Sequence, residues 1–174
     1  GEFSVMVGLA EGGAPVLGAV FQPTEDKLYL GAKDVLAKVD VSGTMSDLAV
    51  TDRDDVSTYR LVVSRSHLEP VVDEIRQMLK IDSLRQSGSV GLKCGLIAVG
   101  ECDLYMHPSP HTKMWDSCAP QAILEAAGGA MTDMHGQPLN YSSEEVKNLD
   151  GMLVSNGVMH EHIVSMVQEA LVTE

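Results

Sequence analysis

Three short stretches hold side chains suited to phosphate or metal chemistry. In the first, Asp116 follows Trp115 and opens an alanine-rich run that ends in Gly128-Gly129. A carboxylate placed there can ligate a hard divalent cation, and a helix N-terminus behind it favours anionic oxygens. The same pair also suits a capping Asp beside a core Trp. In the second, Ser87-Gly88-Ser89 precedes an almost wholly apolar run, roughly Val90 to Val99, in which Lys93 is the only charge. Small residues let backbone N–H groups face an anion at a helix start. A lysine on a helix buried all round costs desolvation unless it meets a phosphate, meets a structural carboxylate or snorkels to water. In the third, Ser64, Arg65, Ser66 and His67 follow a β-branched run and precede an amphipathic helix. Loops between strand and helix are where α/β sheets bind ligands, although Ser66 and Glu69 also have capping-box spacing.

The elements that must position these residues can be read from periodicity. Residues 4–10, 16–22 and 27–31 are short apolar runs divided by Glu11-Gly12-Gly13-Ala14-Pro15 and Pro23-Thr24-Glu25-Asp26. They predict an antiparallel meander. Weaker strands are expected near Val35–Val41 and Leu48–Val50, and the charged run 51–55 marks a subdomain boundary. Beyond it strands and helices alternate, as in an α/β domain. Strands are expected at 59–64, 103–106, 130–132 and 151–154. Helices are expected where Leu68, Val71, Val72, Ile75, Met78 and Leu79 share a face, and again at Ile163, Val164, Val167, Ala170 and Leu171. In the opening stretch Ala119, Ala122, Ile123, Ala126 and Ala127 repeat at helical spacing, so that helix can approach its neighbour closely. Pro120 is expected in its first turn, and Gly128-Gly129 as its left-handed stop.

Composition bounds the function. The 174 residues hold 25 acidic and 12 basic side chains, a net charge of −13. Nucleic-acid polymers need a basic footprint, so that partner class is excluded. A small anionic ligand needs only a local basic pocket or a cation. No apolar run reaches the length of a membrane span, and no signal peptide is visible. The three cysteines, Cys94, Cys102 and Cys118, lack paired spacing and read as reduced, buried thiols in a cytoplasmic protein.

Taken in order, the motifs resemble the inositol monophosphatase superfamily of metal-dependent, lithium-sensitive phosphatases. Trp115-Asp116-Ser117-Cys118-Ala119-Pro120 with Glu125-Ala126-Ala127-Gly128-Gly129 resembles that family's second motif. The segments GEFSVMVGL, VVSRSH at 62–67, SVGLK at 89–93, DLY at 103–105, GQPLNY at 136–141 and LVSNG at 153–157 fit in sequence. VVSRSH is most similar to the bacterial 3′(2′),5′-bisphosphate nucleotidase branch. The resemblance implies a layered α-β-α-β-α sandwich, here the end of the first sheet (1–58) plus the C-terminal α/β subdomain (59–174).

It further implies a phosphoric monoester hydrolase that uses Mg²⁺ to release phosphate from nucleotides such as adenosine 3′,5′-bisphosphate. Asp116 would be a metal ligand, and Ser64, Arg65, His67, Gly88, Ser89 and Lys93 would contact substrate. Here Gly88-Ser89-Val90-Gly91 replaces the Gly-Ser-Ser of some nucleotidases. Ala126 stands where many inositol phosphatases have Glu, which favours a nucleotide over the alternatives, inositol monophosphate or a sugar bisphosphate. Family members also carry a Glu-Glu pair and an Asp-Pro-x-Asp-Gly-Thr motif ahead of the point where this chain begins, within about 80–100 further residues. The catalytic groups are expected there. A non-catalytic fragment, inactive alone and able to form a homodimer through exposed strands, is therefore the other expectation.

Overall fold

The computed structural model describes residues 2–65 and 68–172. The first sheet is the expected meander. Strands β1 (Val5–Glu11), β2 (Ala14–Gln22), β3 (Lys27–Ala32), β4 (Leu36–Val41) and β5 (Thr44–Asp47) lie in chain order, each antiparallel to the next. The last strand corrects the sequence reading, which expected Leu48–Val50. Ser42 and Gly43 both have positive φ, 51° and 85°, the geometry of a two-residue hairpin turn. Asp40 accepts the Gly43 N–H at 2.7 Å, and the chain reverses at once. Leu48 is buried beyond the hairpin, and Val50 donates to the Ala127 carbonyl rather than to a strand.

The second sheet is mixed. β6 (Arg60–Ser64) is central to three parallel strands, with β7 (Ser83–Ser87) on one side and β8 (Leu104–His107) on the other. β10 (Met152–Ser155) runs antiparallel to β8, and β9 (Ala130–Thr132) antiparallel to β10. Four helices complete the described chain: α1 (Pro70–Met78), α2 (Val90–Ala98), α3 (Met114–Ala126) and α4 (His160–Val172).

Three apolar clusters order these elements into layers. Val20, Tyr29 and Val39 of the first sheet meet Leu92 of α2 and Ala119 and Ile123 of α3. The other side of that helix pair, Cys94, Ile97 and Leu124, meets Val62, Tyr105 and Val154 of the second sheet. The opposite face of the second sheet, Leu61, Val63, Leu104 and Leu153, meets Val72, Ile75, Ile163 and Val167 of α1 and α4. The alternation along each strand sends successive side chains to opposite layers. The described residues thus supply four layers in the order sheet, α2–α3, sheet, α1–α4. Cys94, Cys102 and Cys118 are free and buried, and burial pushes the Cys94 thiol up to about 12.

Helix ends differ from their sequence-based expectation for local reasons. A residue before proline is driven to extended backbone, so Glu69 (ψ 137°) is the N-cap of α1 and Pro70 its first helical residue. The expected cap, Ser66, lies outside the described residues. In α3 the helix starts at Met114, which places Pro120 in the interior rather than the first turn. Proline cannot donate to the carbonyl four residues back, so the Asp116 carbonyl lacks its intrahelical donor. Trp115 is not core: it is 59% exposed.

One buried carboxylate fastens the connection between the sheets. Asp103 is fully buried. It accepts from the Thr51 hydroxyl, from Arg60 N at 2.8 Å and from Arg60 Nε at 3.3 Å, with Arg53 Nε 3.5 Å away. Removing one member of a buried ion pair leaves the others uncompensated. Both arginines reach solvent, so Asp103→Ala is expected to cost about 3 kcal/mol, the low end of that range, read as a lowered denaturation midpoint.

Candidate phosphate-binding site

The three parallel strands end at one edge, and the polar side chains collect there. Leu61 of β6 lies opposite Leu104 of β8, and Ser64 of β6 lies opposite Ser87 of β7. Ser64, Ser87 and His107 are the last residues of their strands. The N-termini of α1 and α2 open at the same edge, the position where α/β sheets take ligands.

Lys93 is the centre of this edge. It is 3% exposed, in the second turn of α2. Its Nζ donates to Ser64 Oγ at 3.1 Å and to the Gly88 carbonyl at 3.0 Å, and it stands 4.6 Å from the centroid of the Tyr105 ring. It does not snorkel, and among the described residues no carboxylate forms an ion pair with it. Burial pulls its pKa down to about 8, so it stays mostly charged at neutral pH while lacking a counter-charge. The Tyr105 hydroxyl is buried and, among the described residues, has no hydrogen-bond partner. A buried cation without an anion among the described residues, over a ring whose own hydroxyl lacks an acceptor there, fits an incoming phosphate oxygen.

A second group closes the edge. His107 is two residues beyond Tyr105 and so on the same face of β8. Its Nδ1 lies 3.8 Å from Glu69 Oε1, and its Nε2 lies 3.2 Å from Ser109 Oγ, which also donates to Glu69 at 3.3 Å. Burial lowers the His107 pKa, the Glu69 and Asp116 charges raise it, and Lys93 and His111 lower it further; the net direction is down. Tyr105 is pushed up chiefly by burial, with Cys94, Glu69 and Asp116 adding to the shift. The Asp116 charge thus acts on both β8 side chains, Tyr105 and His107. Sequence reading missed this group. Glu69 looked like a capping-box partner and His107 like part of a proline-bounded loop. The signal available was the i, i+2 spacing of Tyr105 and His107.

The sequence-derived residues do not all converge. Ser64, Gly88 (through its carbonyl) and Lys93 do. Asp116 is the third residue of α3, and its Oδ2 accepts the Lys113 N–H at 2.9 Å, leaving Oδ1 without a hydrogen bond. Ser89 is the N-cap of α2 but spends its hydroxyl on Ser4 Oγ at 2.7 Å. Arg65 is half-exposed, with Nε 3.6 Å from Glu2 Oε2. The Gly88 N–H, expected to face a phosphate, donates to that same Glu2 oxygen at 2.7 Å. His67 lies outside the described residues. Ala126 carries no weight for substrate choice: it ends α3, ten residues from Asp116, a separation of about 15 Å along the axis. Nor do the described residues hold a metal centre on their own. No group of three His, Cys, Asp or Glu side chains among them is arranged to ligate an ion, so Asp116 stands as a lone carboxylate rather than part of a ligand cluster.

The layered fold, with Lys93 and other polar side chains gathered where parallel strands end, defines a class of layered α/β proteins whose polar groups collect at the strand ends. Within it this chain belongs to the inositol monophosphatase family, whose profile matches residues 1–171. It is 30% identical over 161 residues to 3′(2′),5′-bisphosphate nucleotidase 1 of Dictyostelium discoideum, covering 86% of this chain and 52% of that protein. It is 34% identical over 145 residues to 3′(2′),5′-bisphosphate nucleotidase CysQ of Escherichia coli K12, covering 83% and 56%. The crystal structure of CysQ from Bacteroides thetaiotaomicron superposes with a TM-score of 0.78 at 28% identity, covering 89% of this chain and 63% of that one. The chain thus spans about half the length of these curated relatives.

Proposed function

We propose that this chain forms the substrate-phosphate side of a Mg²⁺-dependent phosphatase acting on 3′(2′),5′-bisphosphate nucleotides such as adenosine 3′,5′-bisphosphate. The observation that supports it is Lys93, buried and charged with no ion-pair partner among the described residues, over the ring of Tyr105, whose hydroxyl has no partner among them either. The nucleotidase relatives support the nucleotide as substrate. In this reading Lys93 and Tyr105 hold one phosphate. Ser64 and the Gly88 carbonyl aim the Lys93 ammonium. His107, kept largely neutral by burial and positioned by Glu69 and Ser109, can donate or accept a hydrogen bond at the same phosphate or the adjoining ribose. Asp116 Oδ1 would supply one carboxylate to Mg²⁺. That ion, when bound with its other ligands from outside the described residues, would neutralise phosphate charge and activate water. Sensitivity to lithium and residence in the cytoplasm belong to the same proposal. Among the described residues no helix is long and apolar enough to cross a membrane.

The substrate is tested by titrating the protein with adenosine 3′,5′-bisphosphate and with inositol 1-phosphate under identical conditions. The nucleotide is expected to bind at least about tenfold more tightly, a difference of about 1.4 kcal/mol. Tighter binding of inositol 1-phosphate would overturn the nucleotide reading. Because one carboxylate cannot assemble the metal cluster, the 174-residue protein is expected to show little Mg²⁺-dependent turnover of its own; robust turnover would contradict this.

Homodimer formation is proposed on separate grounds. The face of the first sheet turned away from α3 exposes Val5, Val7, Leu9 and Leu17. Exposed apolar patches on a sheet with an open edge strand invite association. Light scattering is expected to give a mass above that of one chain, and Val7→Asp with Leu17→Asp to reduce it. A clean monomer at high concentration would count against the dimer.

A further inference from the structure

Glu2 lies outside the phosphate-facing group, yet its carboxylate controls the turn on which Lys93 depends. Glu2 Oε2 accepts the Gly88 N–H at 2.7 Å and the Ser87 hydroxyl at 3.4 Å. On its other side Gly88 presents its carbonyl to Lys93 Nζ at 3.0 Å. One glycine is therefore strung between a carboxylate and an ammonium. Its N–H belongs to the peptide plane before it and its C=O to the plane after it, so two successive planes are held. The next residue is held too, since Ser89 Oγ is 2.7 Å from Ser4 Oγ. The residues just ahead of β1 thus clamp the entry to α2 at both ends.

The clamp has a physical need. Glycine has the largest backbone freedom of any residue, and the Ser89 side chain makes no cap hydrogen bond to α2. Without Glu2 nothing else among the described residues fixes the Gly88 N–H. The fit is also close: a Cβ on Gly88 would stand 3.1 Å from Glu2 Cβ and 3.2 Å from its carbonyl oxygen. The carboxylate sits at the start of a nine-residue helix, where negative charge is favoured, so the turn's own N–H is not free for a phosphate.

We propose that Glu2 is a positioning residue: by holding the Gly88 N–H it aims the Gly88 carbonyl at Lys93 Nζ and sets that ammonium over the Tyr105 ring for an incoming phosphate. This rests on Lys93 being the phosphate-binding group. The groups facing Lys93 are Ser64 from β6, Tyr105 and His107 from β8 and Cys94 from α2, with Glu69 and Asp116 acting on the two β8 side chains.

The test titrates the wild-type protein, Glu2→Ala, Glu2→Gln and Lys93→Met with adenosine 3′,5′-bisphosphate by calorimetry, across the pH range around 8 in which Lys93 ionises. Glu2→Ala is expected to weaken binding about tenfold, the effect of losing one charge-assisted hydrogen bond. It should also move the alkaline fall in affinity to lower pH, because the ammonium loses an acceptor. Glu2→Gln keeps an oxygen for the Gly88 N–H and is expected to stay within about threefold of wild type, about 0.7 kcal/mol. Should Glu2→Ala melt below the assay temperature, Glu2→Asp, one methylene shorter, is expected to shift affinity and pH profile in the same direction. Unchanged affinity and pH profile in Glu2→Ala, or in Glu2→Asp where that variant is used, would overturn the role of Glu2, as would Glu2→Gln binding as weakly as Glu2→Ala. Lys93→Met binding like wild type would instead overturn the reading of Lys93 itself.

Discussion

Lys93→Met should abolish tight phosphate binding while leaving the fold at least as stable as before. The ammonium is the only buried cation at the strand edge among the described residues, and truncating a buried charge that pairs with a ligand costs about 2–5 kcal/mol of affinity. A loss of about a hundredfold or more is expected in calorimetric titrations with adenosine 3′,5′-bisphosphate. Stability moves the other way because Lys93 is desolvated without a counter-charge. Its folded pKa of about 8 lies below the ordinary lysine value, so between about 8 and about 10.4 the unfolded chain binds the proton that the folded chain has released. Stability therefore rises with pH through that window in the wild type, and below it the buried charge is a standing cost. Met fills similar volume without the charge. The pH dependence of denaturation should flatten across the window in the variant. Retained affinity, or a large loss of stability at neutral pH, would show that Lys93 is structural.

The second large effect concerns the contact between α3 and the first sheet. Ala119, Ala122 and Ile123 present a low surface, and the sheet answers with glycines. A Cβ on Gly18 would lie 2.1 Å from the Ala119 carbonyl oxygen, and one on Gly31 would lie 2.3 Å from Ile123 Cα. These are overlaps with backbone, so no rotamer change relieves them. Gly31→Ala, which adds one methyl group, is expected to cost at least about 3 kcal/mol, the upper end of ordinary overpacking. Gly31→Val should prevent folding. The control is Ala32→Val, one residue along on the opposite face of the same strand, expected to change stability by no more than about 0.5 kcal/mol. Because α3 also positions Asp116, the Gly31→Ala variant should lose ligand affinity in proportion to its unfolded fraction.

What was legible in the residues follows from which forces are local. The meander, β6, β8 and helices α1, α3 and α4 announce themselves through apolar periodicity, whereas β7 (Ser83–Ser87) is polar, mostly exposed and not expected as a strand; Lys93 stands out because a lone charge in an apolar helix needs an explanation. The misplacements are equally physical. Thr44–Asp47 is too polar and exposed to read as a strand, and only the Ser42-Gly43 turn betrays it. Pro120 looked like a helix start because its interior position depends on Asp116 reaching back to Lys113. The anion at the α2 entry was expected to be a ligand, whereas Glu2, 86 positions away in sequence, supplies it. Tyr105 and His107 share β8 while Glu69 caps α1, and nothing in the spacing between Glu69 and the other two foretells their meeting.

The proposal that Lys93 receives a substrate phosphate is tested most directly by following the ¹⁵Nζ resonance of Lys93 through a pH titration, with and without adenosine 3′,5′-bisphosphate. A phosphate bound at the ammonium should raise its pKa from about 8 toward the ordinary lysine value of about 10.4, with proton uptake on binding at alkaline pH. A Lys93 titration that is the same in the presence of saturating nucleotide would contradict it.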